Sequence, residues 1–146
     1  MRLALILFAG TMWAQQPIAI YGTGLDVAGK PLADGATDPH YRLVSSPDAA
    51  FPGPNAIVVN SGAWPIPPWL LNGPNSKWIA PQAGQSKGNA PGVYVYRTTF
   101  DLTGFNPATA KLTGRWASDN GAVMKLNGVE IGFTDPDETG DGFTVW

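Results

Sequence analysis

Along residues 93–102 the large apolar side chains fall on even positions, Tyr94, Tyr96, Phe100 and Leu102, and the polar ones, Arg97, Thr99 and Asp101, on odd positions. A period of two belongs to an extended chain with one face packed and the other wet. Residues 110–118 repeat the pattern, with Leu112 and Trp116 set against Lys111, Thr113 and Arg115. Ala122, Met124 and Leu126 then fall on the inner side with Lys125 outside, after a turn signal at 118–121 (SDNG). Asn127-Gly128 is a two-residue hairpin signal, and Val129, Ile131 and Phe133 follow it. The pattern predicts a meander of three or four antiparallel strands. Upstream, apolar runs at 18–21, 41–44, 56–59 and 77–80, each bounded by Gly, Pro, Asn or Asp, predict further short strands. Seven prolines between residues 52 and 81 keep most of that stretch out of a central ladder and predict ordered loop or edge. No segment has helical periodicity. The expected fold class is all-β, an antiparallel two-sheet β-sandwich of jelly-roll type.

Composition narrows the function classes. The chain has 146 residues, with Gly 18 and Pro 14, room for one domain and no uninterrupted stretch for a helix bundle. Nine basic and 11 acidic residues give a net charge of −2, which offers no overall electrostatic footprint for nucleic acid. Cysteine is absent, so disulfides, thiolate nucleophiles and cysteine-ligated zinc are excluded. Met1-Arg2, the apolar run 3–9 and a small residue at Ala14 read as a secretory signal peptide over residues 1–14, too short to span a bilayer. The expectation is a single β-sandwich domain over 15–146, secreted or at a bacterial periplasm or cell surface.

Three phrases carry a resemblance: GVYVYRTTFDL at 92–102, GRWASDNG at 114–121 and LNGVEIG at 126–132. In this order they are similar to the galactose-binding-domain-like jelly roll, over roughly residues 92–134. WPIPPW at 64–69 with NSKWIAP at 75–81 resembles short exported bacterial proteins of that fold, many of which end in a PEP-CTERM sorting tail. No such tail follows here, and the chain ends at Trp146 where the family pattern continues, so a strand or two is expected to be missing. The resemblance implies a binding module more than an enzyme, since the superfamily includes binders, linkers and structural modules.

Candidate chemistry lies in aromatic and acidic positions. Trp64 and Trp69 sit in a proline-stiffened loop suited to presenting flat rings to sugar faces, although the same rings could plug the end of the sandwich. Asn72, Asn75, Asp119 and Asn120 are candidate polar partners for hydroxyl groups. Trp116 and Trp78 are expected in the core. DPDETGD at 135–141 resembles the opening of a calcium loop, with Asp135, Asp137 and Asp141 as ligands of a structural Ca²⁺. Its fifth position is Thr139 and its twelfth would be Trp146, so an EF-hand fails; a partial site completed by a carbonyl or Asp119 and a solvated acidic loop both stay open. No catalytic residues are assigned: His40 is the sole histidine and reads as a hydrogen-bonded turn residue, and no nucleophile elbow occurs. The expected function is a secreted, non-catalytic module binding carbohydrate or another surface polymer. A structural subunit self-associating through an open sheet edge is the alternative, and a fragment of a glycoside-directed hydrolase the third.

Overall fold

The computed structural model of the chain describes residue 18 and residues 20–134. The expected signal peptide and the acidic loop holding Asp135, Asp137 and Asp141 lie outside the described residues.

Among the described residues the protein is all-β, its strands joined by turns and one single-turn 3₁₀ helix at Pro107–Thr109. The strands are β1 (Thr37–Ser45), β2 (Asn55–Val58), β3 (Ile79–Ala80), β4 (Val95–Arg97), β5 (Ala122–Leu126) and β6 (Val129–Thr134). They form two antiparallel sheets, one curled and four-stranded in the order β3-β2-β1-β4, the other the pair β5-β6. Three of the four upstream apolar runs thus become β1, β2 and β3, while the described residues of the run 18–21 join no ladder.

Alternation decides which side is packed. On β1 and β2, Leu43, Ala56 and Val58 are buried, Arg42 and Asn55 are exposed, and Ile57 is partly exposed. Leu43 lies opposite Tyr96, so β4 turns its even residues toward the same core. Val59, Ile66 and Ala80 form a second packed group, with Trp69 and Trp78 against it. Each Leu, Val or Ile side chain so removed from water stabilises the fold by about 1.5–3 kcal/mol. The inner tyrosines keep their phenols protonated: burial pushes Tyr96 and Tyr41 above their ordinary values, and Tyr41 donates its hydroxyl to the Tyr21 carbonyl at 3.0 Å.

Asp38 is only 3% exposed. Its carboxylate accepts the backbone N–H groups of Gly24 (2.6 Å), His40 (2.7 Å) and Tyr41 (3.0 Å), tying the Gly24 loop to the start of β1. A buried carboxylate is tolerated when its lone pairs are met in this way.

The expected meander forms only in part. Asn127 (φ 50°) and Gly128 (φ 86°) make the hairpin between β5 and β6, both φ values positive as a type I′ turn requires. Met124 faces Gly132 while Lys125 faces Glu130, leaving Ile131 as a bulge. Residues 110–118, however, join no ladder, and β4 pairs with β1 instead of with the hairpin. Leu112 accordingly stays exposed, and Trp116 meets the hairpin by laying its ring over Gly132, where a Cβ would collide with it. Val123, Val129, Ile131 and Phe133 stay exposed as well.

Candidate functional site

The tryptophan-rich loop is built by short-range turns. Ile66 N–H donates to the Ala63 carbonyl and Trp69 N–H to the Pro65 carbonyl, both at 2.8 Å, so the run 64–69 closes into a knob. Prolines 65, 67 and 68 bring no backbone donor and little unfolded-state freedom, which lowers the entropy cost of ordering it. Ile66 anchors the knob, buried against Val59 and Ala80.

Sequence position alone left Trp64 and Trp69 equivalent, and the structure separates them. Trp64 is 64% exposed and is not part of the packed group. Trp69 is half-buried, its ring 4.6 Å from that of Trp78 and tilted by 42°. Trp78 is locked by its indole N–H donating to the Leu70 carbonyl at 2.7 Å. Such aromatic pairs contribute about 0.5–1.5 kcal/mol beyond area burial.

Beneath the rings lies a polar clamp. Asn72 accepts from the Trp78 backbone N–H (2.9 Å) and donates to Ser61 Oγ (2.7 Å). Ser61 donates its hydroxyl to Asp34 at 2.9 Å and its N–H at 2.6 Å, and Lys77 Nζ donates to Asp34 at 2.5 Å and to the Leu32 carbonyl at 3.0 Å. The Lys77 ammonium, then the Ser61 donors, hold the Asp34 carboxyl below its ordinary value. Asn72 is partly buried, and these two bonds fix its side chain beside Trp78 and Ser61. Asn75 is exposed, and its carbonyl packs on Gly22, where a Cβ has no room.

Asp119 comes to the site from the distant segment before β5. Desolvation raises its carboxyl above the ordinary value, while the Trp69 indole facing it acts in the opposite direction. That interaction places Asp119 near the half-buried Trp69. Asn120 is exposed and accepts the Ser118 hydroxyl at its backbone carbonyl.

His40 places Nε2 3.1 Å from the Asp26 carbonyl and stacks on Tyr21 at 3.8 Å, while the Ser61 hydroxyl is turned to Asp34. Among the described residues no group of three or more His, Asp or Glu could hold a metal ion. Two grooves open elsewhere, one of ≈ 240 Å³ bordered by Tyr21, His40, Thr99 and Asp101, the other of ≈ 210 Å³ bordered by Phe51, Asn55, Ile57 and Pro81. Asp34, Ser61 and Lys77 carried no recognisable motif. Their only sequence signal was a lysine at the start of the apolar run 77–80, where a charge needs a partner.

No protein-family model matches the chain, and neither a curated protein nor a solved structure matches it significantly.

Proposed function

We propose that the chain is a secreted or periplasmic, non-catalytic binding module whose Trp64 surface takes carbohydrate or another surface polymer weakly. The supporting observation is the 64% exposure of Trp64 on a loop fixed from below by buried Ile66 and the Trp69–Trp78 pair. An indole contributes little to stability when left in water, whereas a rigid exposed one stacks on a sugar face with little entropy left to lose. Asp119 supplies the polar edge, a carboxylate able to accept from hydroxyls. The galactose-binding-like resemblance agrees with this reading, and the jelly-roll connection order is part of the same proposal.

Affinity electrophoresis through gels containing neutral polysaccharides tests it. Wild type is expected to be retarded by at least one polymer, and Trp64→Ala to lose most of that retardation while its melting temperature is unchanged. Equal retardation of wild type and Trp64→Ala would sink the assigned site.

One observation favours assembly through a sheet edge as a second reading. Among the described residues β5 and β6 pair only with each other, and two-stranded sheets are marginal alone. The reading predicts dimers or larger species by light scattering at high concentration, and a strictly monomeric chain removes it.

A further inference from the structure

On the open face of the four-stranded sheet, Arg42 of β1 and Arg97 of β4 lie directly opposite each other. Opposed side chains on antiparallel strands start about 4.5–5.5 Å apart at Cβ, where like charges repel. Both arginines are exposed, and neither guanidinium has an ion pair or hydrogen bond to any described residue. Asp101, the acid nearest to Arg97 in sequence, is instead occupied by the Thr103 N–H and hydroxyl. Two unneutralised cations side by side are a cost to the sheet that an anion would offset.

The same row continues across the sheet. Arg42 is also opposite Asn55 of β2, so Arg97, Arg42 and Asn55 stand in one line, spanning about 10 Å at ~4.8 Å per strand. At Asn55 begins the ≈ 210 Å³ groove whose other borders include Phe51, Pro52, Ile57 and Pro81. Its size is below the ~300–1,000 Å³ of sites for drug-sized ligands and suits one ring. Apolar walls next to an amide, next to paired guanidiniums, match a ring with an apolar face, hydroxyl groups and one carboxylate.

We propose that this row binds an acidic saccharide, its carboxylate held by Arg42 and Arg97 and its ring seated at Asn55 over Phe51 and Pro81. Planar guanidiniums pair with carboxylates through parallel N–H donors, which gives this group preference over a simple point charge. The site is separate from the Trp64 surface, and neither assignment depends on the other.

Affinity electrophoresis of the full chain through polygalacturonate, its fully methyl-esterified form and dextran sulfate, at low and at physiological salt, tests the proposal. Wild type is expected to be retarded by polygalacturonate, less so as salt screens the contact. Arg42→Gln and Arg97→Gln are each expected to weaken that retardation at least several-fold, whereas Trp64→Ala keeps it. Absence of retardation by polygalacturonate, or unchanged retardation in the Arg42→Gln, Arg97→Gln double variant, would overturn the site. Equal retardation by the esterified polymer or by dextran sulfate would overturn the carboxylate assignment. Arg97→Glu provides a control for folding, because it replaces repulsion by a cross-strand ion pair: binding is expected to be lost while the melting temperature holds or rises.

Discussion

Single side chains set both the stability of this protein and the surface proposed for binding. Asp38 is the most consequential polar residue, because removing its carboxylate orphans three backbone donors of the Gly24 loop and β1. Asp38→Ala is expected to cost roughly 3 kcal/mol or more in denaturant unfolding, at ~1–3 kcal/mol per orphaned donor, and Asp38→Asn less, since one oxygen still accepts. Asp34 acts through titration. The Lys77 contact lowers its pKa in the folded state, so its stabilisation is complete above the ordinary carboxylate value of 3.8 and is lost as pH falls through the lowered value. Melting temperature should therefore fall below about pH 4, and Asp34→Asn should flatten that part of the profile. Asp119 has the opposite sign. Its raised pKa lets it protonate before an ordinary carboxyl, so polymer binding that uses its carboxylate should weaken early on acidification, whereas the binding of Asp119→Asn stays flat with pH. None of these roles was legible in sequence, because neither Asp38 nor Asp34 sits in a motif that names a partner. These hydrogen bonds join residues 14 to 43 positions apart that meet only in space.

At the scale of elements, legibility followed local rules. Asn127-Gly128 encodes its hairpin because both φ values are positive there, and the short apolar runs at 41–44, 56–59 and 77–80, each bounded by turn residues, mark β1, β2 and β3. Gly128→Val should destabilise the hairpin by more than 1 kcal/mol, seen as faster amide exchange across β5 and β6, because a β-branched residue is strained at positive φ. Pairing partners were harder to read. Residues 93–102 and 110–118 share one polarity pattern, yet only Val95–Arg97 finds a ladder, against β1 more than fifty residues away in sequence. Alternation says which side of a strand is wet and nothing of its neighbour. The Arg42–Arg97 opposition arises from that same long-range pairing, and Arg97→Glu should raise stability by about 0.2–1 kcal/mol by turning a repulsive pair into an attractive one.

The whole molecule is a small β framework that spends few residues on its core and leaves two surfaces chemically distinct. One is the proline-stiffened knob with Trp64 outermost; the other is the arginine row on the open face of the sheet. The all-β class followed from composition and period alone. The candidate site did so in half: the Trp64–Trp69 loop was visible as aromatic residues among prolines, while the approach of Asp119 to Trp69 joins residues fifty positions apart and had no local signature. Among the described residues no helix is long and apolar enough to cross a membrane. The central claim is that Trp64 is a contact for polymer, not a packing residue. Acrylamide quenching of the fluorescence difference between wild type and Trp64→Phe, measured without polymer and with the polysaccharide that retards wild type most, tests it directly. The account predicts strong quenching of Trp64 in the free protein and marked protection when polymer is bound. Quenching of Trp64 that is weak from the outset, or unchanged at saturating polymer, would contradict it.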